Sequence, residues 1–304
     1  MREEVTLLEV SPRDGLQNEP GVLPTAAKLA LIEDALAAGV RRIEVASFVH
    51  PKKVPQMADA EAVCAGLPAA PGVRYTGLVL NMRGLERALA TGRLHEVGMV
   101  IPASDTFGMR NQGMDVDRAL SVAEEVIARA REAGMGVQVT IAVAFGCPFE
   151  GEVPADRVIE MARRLAAAAP DELCLADTVG VGVPAQVLHL FPAIREALTV
   201  PLPLRAHFHN TRNTGIANAF AALQADVDVL DASIGGVGGC PFAPKATGNI
   251  PSEDLLYMLE RMGIRTGVDL PGMMAAAERL AERLGRALPG LVSRAGGFPQ
   301  PEAA

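Results

Sequence analysis

His207 and His209 stand one residue apart in a short apolar run, 204–208, that has the length of a β-strand. Alternation along a strand puts residues i and i+2 on one face, so both imidazoles can address a single point. That is a metal-ligand arrangement, and Asp14, at the end of another strand-like run, adds a carboxylate to it. Two nitrogens and one carboxylate oxygen, with water or substrate completing the shell, suit Mg²⁺ or Mn²⁺, although imidazole pairs can also recruit Zn²⁺. The plainer alternative is a pair of histidines hydrogen-bonding at a strand end. Arg13, next to Asp14, supplies a permanent cation where an enolate oxygen would develop negative charge. Glu44 is the carboxylate placed to fix that guanidinium as an ion pair.

Cys240 follows the glycine-rich stretch Gly235-Gly236-Val237-Gly238-Gly239, whose backbone can approach a ligand closely, and Pro241 fixes the turn after it. Of the four cysteines it has the setting of a reactive thiol on a loop that closes over substrate. Cys64 on a helix, Cys174 in a strand and Cys147 in a Gly-Cys-Pro turn read as packing residues. His50, His95 and His189 fall in loop, helix-end and helix contexts and read as solvated or structural.

These residues need a scaffold that brings distant segments to one place. Apolar, often β-branched runs recur at 5–10, 42–47, 74–80, 96–101, 136–145, 172–176, 204–208 and 227–233. Ala-rich amphipathic segments lie between them, at about 25–38, 55–66, 83–90, 114–133, 154–168, 184–198, 211–224 and 251–262, several opened by Pro or Ser/Thr and closed by Gly. Eight strict β-then-α repeats predict a closed (β/α)₈ TIM barrel, and no Gly-x-Gly-x-x-Gly opens the first helix to favour a doubly wound sheet. An extra helix is expected at 272–288, so residues 1–290 read as one domain and 291–304 as a frayed tail. In such a barrel the site forms where strands end, and the polar residues concentrate there. The ends in question are Ser11–Gly15 with Gln17 and Asn18, then Glu44 to Ser47, then Asp177-Thr178 and His207-Phe208-His209-Asn210.

The bulk numbers exclude more than they assign. At 304 residues and 49% hydrophobic the chain can fill one large core. A net charge of −8 argues against a nucleic-acid surface. No run approaches the roughly 18 apolar residues of a membrane span, and the acidic N-terminus leads straight into a strand, so the expectation is a cytoplasmic protein without a membrane partner. No C-x-x-C pair suggests a zinc knot.

Segments 11–19, 45–56, 146–151, 176–182 and 233–259 together resemble the 3-hydroxy-3-methylglutaryl-CoA (HMG-CoA) lyases. The most specific stretch is Gly236-Val237-Gly238-Gly239-Cys240-Pro241-Phe242-Ala243 with Thr247-Gly248-Asn249. The resemblance implies an acyl-CoA substrate and a divalent cation, Mg²⁺ or Mn²⁺, ligated by Asp14, His207, His209 and Asn249. It further implies Arg13 at the enolate, Cys240 and His207 in the proton steps, Glu44 and Asp177 as acids of the pocket and Gln17 orienting substrate. A homodimer is the expected assembly. Asn249 and CoA enter only through the resemblance.

The chain departs from that family pattern in Asn210 and Arg212 after the histidine pair, in Thr140 where strand 5 often offers a Tyr, and in Cys174 in place of a Ser. The natural substrate is therefore open to relatives such as a citramalyl-CoA or a longer 3-hydroxy-3-alkylglutaryl-CoA. Arg212 and Lys245 read either as anchors for a substrate carboxylate or CoA phosphates, or as solvated surface cations. A condensing enzyme of the isopropylmalate-synthase kind shares the Arg-Asp pair and the H-x-H. Metal-dependent amidohydrolases differ in carrying that motif on the first strand.

Overall fold

The computed structural model describes residues 2–239 and 248–298. Eight parallel strands close on themselves in sequence order, with β1 paired to both β2 and β8. They are β1 (Thr6–Glu9), β2 (Arg42–Ser47), β3 (Arg74–Val79), β4 (Glu96–Pro102), β5 (Gly136–Ala142), β6 (Glu172–Asp177), β7 (Leu204–Phe208) and β8 (Val229–Ala232). The helices α1 (Thr25–Ala37), α2 (Ala60–Gly66), α3 (Met82–Ala90), α4 (Asp105–Asn111), α5 (Val116–Glu132), α6 (Ala155–Ala167), α7 (Pro184–Ala197), α8 (Gly215–Gln224) and α9 (Ser252–Arg261) follow the strands, and α10 (Leu270–Leu284) and α11 (Val292–Ala295) follow the barrel. This is the TIM-barrel fold that the eightfold repetition implied.

Local chemistry sets the element ends. The side chains of Asn81, Asp115 and Asp269 accept the amides of Gly84, Arg118 and Gly272 and so cap α3, α5 and α10, and Gly285, at φ 65°, closes α10 in the left-handed region. Leu31, Ile32 and Ala35 of α1 and Val126 and Ile127 of α5 are fully buried among the outward-facing strand residues, which is why the strands read as near-continuous apolar runs. Among the described residues, no helix is long and apolar enough to cross a membrane.

Several boundaries differ from the periodicity. Strand β5 stops at Ala142 because Val143 adopts φ 51°, a conformation costly for a β-branched residue, while its amide donates to Thr178 Oγ1 at 2.9 Å. Helix α4 interrupts the β4–α5 connection, nucleated by Ser104, whose hydroxyl accepts the Phe107 amide. The segment before α8 is a turn in which Asn210 Oδ1 accepts the Gly215 amide at 3.0 Å. Beyond Gly290 the described residues contain α11, whose entry is tied down by the Leu291 and Val292 amides donating to Asp254 and by Ser293 Oγ donating to Glu253.

Charged and polar side chains fill the lower part of the barrel. Arg42 bridges Glu172 at 2.7 Å and Glu96 at 3.3 Å, and Thr76 and Gln138 close around Glu96. The barrel is thus plugged at one end, and the space above the plug is a cavity of about 910 Å³ at the C-terminal ends of the strands.

Candidate active site

The turn Ser11–Gly15, one π-helical turn directly after β1, presents Arg13 and Asp14 to the cavity. Buried Glu9 holds this turn against the loop after β8, accepting the amides of Ser11 (2.8 Å) and Ile234 (3.0 Å) and the hydroxyl of Ser252 (2.6 Å). Arg205 and His207 on β7 and His209 directly after it alternate inward, and all three line the same cavity. His209 Nε2 lies 3.7 Å and His207 Nε2 3.9 Å from Asp14 Oδ2. These three residues could hold a divalent cation, their donor atoms all lying within 4.8 Å of one another. Ligand atoms sharing a cation with bonds of about 2.0–2.2 Å sit about 3–4 Å apart, so the pocket needs little contraction to close on one.

The protonation states fit this use. His207 Nδ1 is 3.1 Å from Asp231 Oδ2, and a proton shared there leaves Nε2 with its lone pair toward Asp14, as in carboxylate–histidine–metal triads. Burial alone would raise the Asp14 carboxyl, but Arg13 and both imidazoles outweigh it and hold it well below the usual carboxylate range. For His207, burial disfavours the charged ring, yet Asp231 and Asp14 overcome it and raise the imidazole above its ordinary value. A cation entering the site therefore competes with a proton on His207.

Arg13 is clamped by Glu44 through Nε (2.8 Å) and Nη2 (2.6 Å), and its Nη1 reaches Asp14 Oδ1 at 2.7 Å. Strand β2 carries a bulge just after Glu44, a device that aims a side chain beside a site. Burial pushes the Glu44 carboxyl up, with Arg13 pulling it back. Gln17 also lines the cavity, and its buried Oε1 has no hydrogen-bond partner, leaving an acceptor for a bound molecule. Asn249 Nδ2 donates to Asp14 Oδ2 (2.8 Å) and to the Val237 carbonyl (3.2 Å), and the Asn249 backbone forms an antiparallel β-bridge with that of His209. Gly238 makes room for it: a Cβ there would fall 2.6 Å from Asn249 Nδ2, and φ is +135°.

Asp177, read from sequence as an acid of the pocket, and Arg212, read either as an anchor or as a solvated cation, both engage the loop after β6. The Asp177 carboxylate accepts the amides of Val181 (2.9 Å) and Gly182 (2.9 Å), and it is Ala176 and Thr178 on either side of it that line the cavity. Arg212 donates to the Val179 and Gly180 carbonyls and staples the same loop. Cys240 and Lys245 lie outside the described residues; Gly239, just before Cys240, lines the cavity and its carbonyl accepts Asn18 Nδ2 at 2.8 Å.

Sequence reading missed Asp231 and Arg205, which meet beneath His207. Arg205 donates to Asp231, to Glu172 (2.7 Å) and to Thr140 Oγ1 (3.1 Å). The available signal was a charge flanked by apolar neighbours within each run, Leu204-Arg205-Ala206 and Leu230-Asp231-Ala232. It also missed the basic mouth, where exposed His50, Lys53, Arg83 and Arg110 line the cavity's outer part.

Known proteins show the same arrangement of chain and fold. The HMGL-like family profile matches residues 4–280. An (R)-citramalyl-CoA lyase of Chloroflexus aurantiacus is 44% identical over 98% of this chain and 97% of its own, and hydroxymethylglutaryl-CoA lyase YngG of Bacillus subtilis is 40% identical over 92% and 93%. The structure of an HMG-CoA lyase from Acinetobacter baumannii in complex with coenzyme A and 3-methylmalate superposes with a TM-score of 0.93 at 35% identity, covering 99% of this chain and 98% of that one. With the profile and relatives of this identity spanning nearly its whole length, the chain belongs to the HMGL-like family.

Proposed function

We propose that the protein is a divalent-metal-dependent carbon–carbon lyase that cleaves HMG-CoA to acetyl-CoA and acetoacetate by a retro-Claisen reaction. The observation that carries this reading is the convergence of Asp14, His207 and His209 beside the clamped guanidinium of Arg13 inside a deep cavity with a basic mouth. Asp14, His207 and His209, with Asn249 at their edge, would hold Mg²⁺ or Mn²⁺. When bound, the cation supplies Lewis acidity to the substrate's carbinol and carbonyl oxygens.

The remaining work belongs to the chain's own groups. Proton removal from the C3 hydroxyl lets its electrons form the ketone carbonyl as the C2–C3 bond breaks, and the pair from that bond becomes the enolate of acetyl-CoA. Arg13, fixed in advance by Glu44, faces the oxygen on which that charge collects. Protonation of the enolate carbon completes acetyl-CoA. The two proton steps fall to Cys240 on its loop and to His207, whose mobile proton is the one it shares through Nδ1 with Asp231 while Nε2 faces the cation site. Gln17 offers its free oxygen to the acyl portion, and His50, Lys53, Arg83 and Arg110 at the mouth match the phosphates of CoA.

A second reading, cleavage of citramalyl-CoA to acetyl-CoA and pyruvate, is favoured by the 44% identity to an enzyme of that name. The same experiment tests both. Purified protein with Mg²⁺ or Mn²⁺ is given each thioester, and acetyl-CoA, acetoacetate and pyruvate are quantified. Acetyl-CoA with acetoacetate supports the first reading and acetyl-CoA with pyruvate the second. Cleavage of neither, or consumption of acetyl-CoA with a 2-oxo acid, overturns the lyase assignment.

A further inference from the structure

The acyl group of either substrate ends in a carboxylate that is carried inside the barrel when the carbinol reaches His207. A buried carboxylate needs a fixed cation with unused N–H bonds. His50, Lys53, Arg83 and Arg110 at the mouth are exposed, Arg87 is bound to Glu61 and to the Phe48 and Val49 carbonyls, and Arg212 does not line the cavity, so among the described residues lining it Arg13 and Arg205 stand at the right depth. Arg13, held by Glu44 and Asp14, stands on the side where the enolate forms and serves the oxygen on which that charge collects.

Arg205 is placed differently. It is buried on the inward face of β7, one inward position below His207, and lines the cavity. Nε is taken by Glu172, one Nη1 hydrogen by Asp231 and one Nη2 hydrogen by Thr140 Oγ1. Of the five N–H bonds of a guanidinium, one on each Nη is left without a protein acceptor, so two donors of a cavity-lining cation stay available to a carboxylate.

We propose that Arg205, steadied by Thr140, is the specificity residue that recognises the carboxylate of the acyl group. This rests on the lyase reading and narrows its substrates. Asp231 Oδ2 takes both Arg205 Nη1 and His207 Nδ1, so the guanidinium lies one carboxylate oxygen away from a candidate ligand ring. Below it, Glu172, Arg42 and Glu96 close the barrel. A carboxylate on the carbinol carbon, or one methylene beyond it, spans the gap. A longer acyl chain meets the plug.

The test measures kcat/KM of the Mn²⁺-loaded wild type, Arg205→Lys and Thr140→Val on HMG-CoA, citramalyl-CoA and 3-hydroxy-3-methylbutyryl-CoA, which lacks the carboxylate. Calorimetric binding of free 3-hydroxy-3-methylglutarate, citramalate and 3-hydroxy-3-methylbutyrate is measured alongside. Losing a bidentate charge-assisted contact should lower kcat/KM on the carboxylated thioesters by about 10²-fold in Arg205→Lys, with the neutral thioester changed only a few-fold. Thr140→Val, which keeps the charge and its two carboxylate partners, should shift the same ratio less, and it carries the test if the lysine variant does not fold. Equal losses on all three thioesters would mean that Arg205 merely holds Asp231 and His207, which overturns the proposal. If the wild type cleaves none of the thioesters, the reaction assignment falls, but an Arg205-dependent preference for the free dicarboxylates still supports the carboxylate site, and equal binding by wild type and variants removes it.

Discussion

Replacing Arg13 by Gln separates what the guanidinium does for the fold from what it does for the reaction. Its side chain is 11% exposed and its partners Glu44 and Asp14 are 7% and 16% exposed, so all three charges sit largely out of water. Removing the cation leaves the Glu44 carboxylate buried with its two strongest contacts gone, a change that typically costs about 3–5 kcal/mol. For a domain of this size that lowers the melting temperature by about 10 °C. Burial, no longer opposed by Arg13, also drives the Glu44 carboxyl further upward and toward its neutral form. In Arg13→Gln/Glu44→Gln the stranded charge is removed as well, and two amides can pair in its place. The double variant should therefore regain most of the lost stability in thermal and denaturant melts, while acetyl-CoA release stays about 10²–10³-fold below wild type because the oxyanion-facing cation is still missing. Recovery of turnover together with stability would show that Arg13 acts only through the fold. A double variant as unstable as the single one would show that the stranded Glu44 charge is not the source of the loss.

Three further outcomes follow from the same structure. Burial pushes the Glu253 carboxyl up to about 7, so the unfolded chain releases this proton first as the pH rises. Stability from this group is full below about 4.5 and falls by about 3 kcal/mol by pH 7, and denaturant melts of Glu253→Gln should lack that slope and exceed wild type above pH 7. Adding Mn²⁺ to metal-free protein should raise the melting temperature, by about 2.7 kcal/mol of stabilisation at a hundredfold excess over Kd, and the rise should vanish with chelator and in Asp14→Asn or His209→Ala; an unchanged shift in those variants would place the ion elsewhere. Arg110→Glu and Lys53→Glu should raise KM for a CoA thioester with little change in kcat and leave the matching pantetheine thioester unaffected; equal effects on both would remove these residues from nucleotide binding.

The barrel and its histidine pair were legible because both rest on local periodicity. Eight apolar runs at regular spacing imply closure, and His207-x-His209 implies a shared face wherever the strand is placed. Residues joined by inter-strand register were not legible in that way. Ala206 pairs with Leu230, and it is this match between two strands that sets Asp231 beside His207 and Arg205. Within either run, Arg205 or Asp231 alone reads equally well as a solvent-facing charge at a strand end. The connection between β4 and α5 hid α4 for a related reason: Asp105-Thr106-Phe107-Gly108 carries little helical pattern, and only the Ser104 cap and packing against the barrel mouth select it.

Asp177 is a different case, because strand parity alone says which way its carboxylate turns. Glu172, Cys174 and Ala176 share one parity on β6, and Glu172 and Ala176 face the lumen. Asp177 has the other parity, so its carboxylate leaves the barrel axis and meets the loop amides that a strand end exposes. The same rule applied to β2 puts Arg42 and Glu44 inward, where they are found, and on β5 it puts Gln138 and Thr140 inward. Polar residues at the top of a barrel are thus sorted by parity into those that can touch a bound molecule and those that shape the loops around it, and acidity alone does not make that distinction.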